Sequence, residues 1–230
     1  MKQILDHPWD ITETDALALQ KRLSLKVIKQ DHFLEINYVA GIDVAYSEYT
    51  SQLFAAVVVF NAKTLEVIES VVAEDAIHFP YIPGLFSFRE LPPIIKALKL
   101  LKNTPDLIVC DGQGIAHPRR FGLASHLGVL FDVPTIGCGK TRLLGDCIEP
   151  GKMRGERSPL VDSDEEIGSV LRTQNHIKPI FVSIGHRISL TTACEWILKI
   201  SPRYRLPETT RQADQLVNKA LYVLNNKQKN

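Results

Sequence analysis

Cysteine is scarce and poorly spaced for chemistry: the 230 residues contain four, at positions 110, 138, 147 and 194, and no two form a CxxC pair. That argues against a structural zinc site or a disulfide framework and predicts reduced, mostly buried thiols. No uninterrupted apolar run approaches the roughly 18 residues of a membrane span. The first twenty residues carry acids and polar groups instead of an apolar signal core, so a cytoplasmic protein with no membrane partner is expected. Net charge is also small: 27 Lys and Arg against 26 Asp and Glu leave +1, so any surface for a polyanion must be a local patch. No linker-like tract or shift of composition divides the chain. A single domain over residues 1–230 is expected, with 225–230 a frayed tail.

Several catalytic motifs are missing too. Gly139-Lys140-Thr141 follows an apolar run, but the first glycine of a phosphate-cradling loop would fall at Pro134. Gly112-Gln113-Gly114 has the first two glycines of a dinucleotide fingerprint and His117 where the third belongs. Neither supports a nucleotide cofactor. No GxSxG suggests a serine hydrolase and no HExxH a zinc protease.

What is present is an α/β pattern in a chain that is 45% hydrophobic and long enough to bury roughly 70–75% of its unfolded surface. Leu107 to Cys110 reads as a strand buried on both faces. It stops at Asp111, and Gly112 and Gly114 then permit backbone angles that other residues avoid. Pro118 suits the first turn of a helix that turns Leu123, Leu127 and Leu130 inward. Upstream, Thr12 and Asp15 cap a helix running to Ser24, with Ala16, Leu19 and Leu23 on its apolar face. Tyr38–Tyr46, Leu53–Phe60 and Leu65–Val72 read as three antiparallel strands. A helix from Phe88 follows, turning Ile94, Leu98 and Leu101 inward, with Pro92 and Pro93 tolerated only in its first turn. Downstream, a strand over Val133–Gly137 lies parallel to the central one. Gly145–Arg157 reads as a surface loop, Ile167–Leu171 and Pro179–Ser183 as a hairpin, and Leu190–Ile200 and Pro207–Leu224 as closing helices. The expected fold is a mixed sheet, three antiparallel-type strands followed by alternating strands and helices, with helices packed on it.

Chemistry concentrates at the strand ends. Asp43 interrupts the run Val39–Ala45, where a buried carboxylate is costly unless paired or metal-bound; a wet sheet end is the alternative. Asp111 alone could simply begin a turn. The first and fourth strands can be neighbours, however, and would then bring the two carboxylates together, with Glu90 near a helix entrance as a third oxygen ligand for Mg²⁺ or Mn²⁺. His117, Lys140, Arg119 and Arg120 lie on the adjoining turns, where cations would meet a phosphate. His117 could equally cap a helix, and the arginines could be solvated. This mixture fits a metal-assisted phosphodiester hydrolase. The segment His78–Gly84 is stiffened by Pro80 and Pro83. It presents Tyr81 and Ile82 either as a wedge that unstacks bases or as an ordinary lid.

Ala40–Tyr46, Pro80–Gly84 with Phe88-Arg89-Glu90, Asp111–Arg119 and Gly139–Leu143 together resemble the endonuclease V, or deoxyinosine 3′ endonuclease, family, over about Thr12 to Asp214. The resemblance implies a ribonuclease H-like fold. It also implies Mg²⁺-dependent incision of DNA at the second phosphodiester bond 3′ to deoxyinosine, leaving a 3′-hydroxyl and a 5′-phosphate. Carried over, Asp43, Glu90 and Asp111 are metal-site carboxylates, and His117 and Lys140 belong to the active site. Tyr81 belongs to a strand-separating wedge with Pro80, Ile82, Pro83 and Gly84, and amides near Gly112 and Gly114 would read the extruded base. Asp214 matches a position near the metal site that is Asp or His in the family. Thr141 stands where the family pattern has serine, which keeps the hydroxyl. Inosine-containing RNA as substrate, or a catalytically idle nucleic-acid adaptor, are the competing expectations, and a monomer is the default.

Overall fold

The computed structural model describes residues 1–47 and 50–227. Three antiparallel strands come first: β1 (Tyr38–Tyr46), β2 (Gln52–Asn61) and β3 (Val67–Ala76). Then follow β4 (Leu107–Cys110), β5 (Thr135–Gly139), β6 (Asp146–Cys147), β7 (Arg157–Asp162), β8 (Glu165–Leu171) and β9 (Ile180–His186). They form one nine-stranded sheet in the order β3-β2-β1-β4-β5-β9-β8-β7-β6. The apolar run of β4 pairs in parallel with β1 on one side and β5 on the other, so its continuous burial has a cause.

Helices cover both faces because the central strands are apolar on both. On one face, Ala40, Ile42, Val57, Ile108 and Cys110 pack with α2 (Phe86–Leu100) and α3 (Leu123–Phe131). On the other, Val39, Val58, Val109 and Ile136 pack with α4 (Leu190–Lys199) and α5 (Glu208–Lys227). The first helix, α1 (Glu13–Ser24), is capped by Thr12, whose hydroxyl accepts from the Asp15 amide, and it buries Ala16, Leu19 and Leu23 as expected. A tenth of the way along α5, close approach replaces side-chain packing: a Cβ on Gly41 would fall 2.2 Å from the Thr209 carbonyl. Cys110, Cys138 and Cys194 are free and buried, and Cys147 is free and half-buried. No helix among the described residues is long and apolar enough to cross a membrane.

The structure departs from the sequence reading where tertiary packing overrides local signals. Leu65 is not in β3 but in a left-handed turn, φ 58°, in which the Asn61 side chain accepts the Lys63 and Thr64 amides. Helix α2 begins at Phe86, so Pro92 and Pro93 lie inside it and Glu90 sits past its first turn. An interior proline costs about 3 kcal/mol. Phe88, Leu91, Ile94 and Leu98 are fully buried and contribute roughly 1.5–3 kcal/mol each, enough to carry the helix through. Pro118 does not open α3, which starts only after Gly122. Residues 111–122 instead form a compact loop closed by Gly122 N–H to Gly114 O at 2.9 Å and Ile115 N–H to Ile184 O at 2.7 Å. His117 therefore caps no helix. Gly112 and Gly114 do not need positive φ; Gly114 is required by space, since its Cβ would lie 1.9 Å from Ile184 O. The expected loop 145–157 contains β6, and β7 was not anticipated. Residues 225–227 continue α5 instead of fraying, and 228–230 lie outside the described residues.

Candidate active site

The register places the carboxylates. Ile42 pairs with Cys110 at the end of the parallel β1–β4 ladder, so Asp43 and Asp111 stand side by side one step further along, at the carboxyl ends of central strands. Burial and then the charge of Asp111 push the Asp43 carboxyl up to about 7. Lys140 follows the end of neighbouring β5, and its Nζ lies 2.5 Å from Asp111 Oδ2. Burial opposes the ammonium charge, but the hydrogen bond and charge of Asp111 outweigh it and raise the Lys140 pKa. Glu90 reaches in from α2 and accepts from the Tyr46 hydroxyl at 2.7 Å. Burial raises Glu90 to about 7 against the pull of that hydrogen bond, with Asp111 adding to the rise. Asp214, on α5, is near enough for its charge to act on both Asp43 and Lys140; its side chain accepts from Asn218 at 3.2 Å.

Among the described residues, no three His, Cys, Asp or Glu form a ready-made metal cage. The donor set nonetheless suits a hard divalent cation: Asp43, Asp111 and Glu90 are oxygen donors, and two of them resist ionisation because of burial and mutual repulsion. A cation would relieve both penalties.

A cleft of about 360 Å³ adjoins this cluster and shares Asp111 and Glu90 with it. That volume lies at the lower end of small-ligand pockets, about 300–1,000 Å³. Tyr81, Pro83, Gly84 and Phe86 form one wall, Gly112, Gln113 and Leu123 another, and Thr141 to Leu143 the rim. Tyr81 is 63% exposed and meets the Phe86 ring edge-on at 4.7 Å. Of the other expected wedge residues, Pro80 is exposed, while Ile82 is half-buried against the cluster formed by Phe79, Leu85 and Phe88. Gly114 is buried behind the cleft instead of lining it.

His117 lines the cleft but is only 4% exposed. The Arg119 amide donates to its Nδ1 at 3.2 Å, so Nε2 carries the proton and donates to Gly84 O at 2.9 Å. Burial, reinforced by Arg119, lowers its pKa to about 4. A neutral imidazole spent on a carbonyl is not the cation that the sequence suggested for a phosphate. Arg120 is likewise committed, to Glu165 at 2.6 Å and Asp162 at 2.7 Å, and Arg119 donates to Gly84 O at 2.6 Å. Lys140, beside Asp111, and the half-exposed Arg142, 3.5 Å from Asp146, are cations beside the cleft.

Sequence reasoning missed two participants. Gln20 lines the cleft and is 1% exposed; its signal was an amide set among the apolar positions of α1. Tyr46, the partner of Glu90, sits at the end of β1 with the Arg89 guanidinium 5.1 Å over its ring, and nothing local in the sequence announced that pairing.

A profile described as Endonuclease V matches residues 19–215. The chain is 47% identical over 219 residues to the endonuclease V of Nostoc punctiforme, covering 95% of this chain and 99% of the relative. The crystal structure of the Streptomyces avermitilis endonuclease V superposes with a TM-score of 0.91 at 46% identity, covering 96% of this chain and 98% of that one. A Ciona intestinalis endonuclease V, in complex with a 23mer DNA containing an inosine followed by a ribo-adenosine, gives 0.84 at 29% identity, covering 93% and 100%.

Proposed function

The chain belongs to the endonuclease V family, a nuclease family acting on phosphodiester bonds, and from that premise we propose that it is a DNA-repair endonuclease for deoxyinosine. In this reading it cuts the second phosphodiester bond 3′ to the lesion and acts in the cytoplasm as a monomer of one domain over residues 1–230. The observation that carries it is the sharing of Asp111 and Glu90 between a carboxylate cluster and a ligand-sized cleft walled by Tyr81. One pair of residues thus lies both where a base would lodge and where a phosphate would be cut.

Asp43, Asp111 and Glu90 would hold Mg²⁺, or Mn²⁺ as a substitute, with Asp214 nearby on α5. A divalent cation there supplies charge stabilisation at phosphorus and lowers the pKa of water. Lys140, fixed by Asp111, presents its remaining donors to the attacking water or a phosphate oxygen. Water adds in line to phosphorus as the bond to the 3′ oxygen breaks, leaving a 5′-phosphate and a 3′-hydroxyl. Tyr81 fills the gap left by an extruded base, and backbone groups around Gly84 and Gly112 face that base. Extrusion costs roughly a few kcal/mol, least for a mispaired base, which itself favours a deaminated site.

The test is cleavage of end-labelled DNA with and without one deoxyinosine, in Mg²⁺ and in chelator. Wild type should cut after the 3′ neighbour of the lesion only with metal, and folded Asp111→Asn should lose this by two or more orders of magnitude. An unaffected variant would remove Asp111 from the chemistry, and lesion binding without any cutting would favour an adaptor. A second reading, an inosine-specific ribonuclease, draws on the ribo-adenosine that follows inosine in the Ciona complex; faster cutting of a matched inosine RNA would favour it.

A further inference from the structure

Gln20 is the buried amide of an otherwise apolar helix face, and its hydrogen bonds converge on the loop that walls the cleft. Its Oε1 accepts from Arg119 Nε, and its Nε2 donates to the carbonyls of Gly84 at 3.0 Å and Phe121 at 3.3 Å. The Gly84 carbonyl takes two further donors, Arg119 Nη2 at 2.6 Å and His117 Nε2 at 2.9 Å. Three side-chain donors on a single loop carbonyl exceed what solvation of that group requires. Gly84 can turn its carbonyl to meet them because it adopts φ +79°, and a Cβ there would press on Arg119 Nη2 at 2.7 Å. The other end of the same loop is tied by Arg89 Nη1 to the Phe79 carbonyl at 2.8 Å. Tyr81 therefore stands exposed between two anchored points.

We propose that Gln20 is a positioning residue for lesion recognition: together with Arg119 it fixes the Gly84 carbonyl, and thereby presets the loop that carries Tyr81 before the base arrives. A loop ordered in advance spares binding the conformational entropy of ordering it. The contribution of Gln20 thus belongs to substrate capture and lesion discrimination, while the chemical step depends on carboxylates it does not touch. This inference rests on the reading of the cleft as the lesion site.

Two variants separate its contacts. Gln20→Met keeps the length and apolar burial but removes all three hydrogen bonds, and Gln20→Glu keeps the acceptor for Arg119 while losing the donors to Gly84 and Phe121. Hydrogen–deuterium exchange of the full-length protein should quicken at amides 79–86 in both, with the sheet unchanged. With inosine DNA in saturating Mg²⁺, KM should rise about tenfold and kcat stay within about twofold, the size expected for the lost hydrogen bond to the Gly84 carbonyl. The Mg²⁺ concentration for half-maximal activity should not move. Unchanged exchange in folded variants would overturn the clamp. Faster exchange with unaltered KM, or a fall in kcat or metal response with KM intact, would overturn the positioning role. Failure of both variants to fold would make Gln20 a purely structural residue. If wild type does not cut inosine DNA at all, the functional reading falls, while the exchange result still decides whether Gln20 fixes the loop.

Discussion

At the residue scale, Asp43 joins sequence to chemistry most directly. A carboxyl in an apolar strand is expensive, and the fold adds the charge of Asp111 beside it, raising its pKa to about 7. A folded pKa above the unfolded one stabilises fully below the unfolded value, and that stabilisation is lost as pH rises through the folded value. Without metal, the contribution of this group should therefore be lost between about pH 4 and pH 7, so the stability of wild type relative to Asp43→Asn should fall over that range. At pH 8 the variant should be the more stable in chelator, by up to about 4 kcal/mol, measured by urea denaturation. Added Mg²⁺ should stabilise wild type and narrow the gap, a readout of the metal site that needs no turnover. The candidacy of Asp43 was legible because its neighbours are apolar. The commitment of His117 to the Gly84 carbonyl was not, because that partner lies 33 residues away along the chain.

At the element scale, the loop from Phe79 to Gly84 and the loop after β4 function as a pair. The first was legible as stiff and non-helical from Pro80 and Pro83; the second was misread as an early helix, because Pro118 suits a first turn and nothing local shows Gly114 lodged against Ile184 O. Tyr81 is held on a loop anchored at both ends, so its ring is available without a conformational search. Tyr81→Ala should weaken binding of inosine DNA about tenfold, the usual scale for one lost base–aromatic stack, while leaving Mg²⁺ half-saturation unchanged. Fluorescence anisotropy with lesion and undamaged duplexes measures this; an unchanged ratio between them would argue against a wedge. β1 and β4 were predictable to the residue, since each is an apolar run bounded by polar turns, while β5 runs Thr135–Gly139, two residues later than the expected Val133–Gly137. β7 was missed because it carries Pro159 and only scattered apolar residues, and its position comes from pairing with β8.

For the whole molecule, two sets of buried groups oppose each other in pH. His7, His117, His126 and His186 all have pKa values lowered, mainly by burial. Such histidines stabilise above their unfolded value of 6.5, and that contribution is lost as pH falls towards the folded values. Hydrogen bonds fix one such pair: His7 Nδ1 donates to Pro8 O at 2.8 Å, leaving its Nε2 to accept from His126 at 2.8 Å. Asp43 and Glu90 act in the opposite sense up to about 7. Below about pH 6.5 the two sets therefore oppose each other, and as pH rises past the unfolded value of the histidines towards 7 the carboxyl effect is left alone and stability should fall. Metal-free protein should thus lose stability from about pH 6.5 to 7, and saturating Mg²⁺ should lessen that loss, as thermal unfolding across a pH series would show.

The sequence alone determined the mixed α/β class, the antiparallel opening strands, the parallel central pair and the candidacy of Asp43, Glu90 and Asp111. Apolar period and costly buried charge are written in local order. Only the tertiary structure decided which polar groups meet. Lys140 on Asp111, Tyr46 on Glu90, and Gln20, Arg119 and His117 on Gly84 are contacts between residues distant in the chain, and their partners are selected by strand register and helix packing. Those same forces carried α2 through two prolines and postponed α3 to Gly122, because the burial energy of a whole helix face exceeds the preference of any single residue.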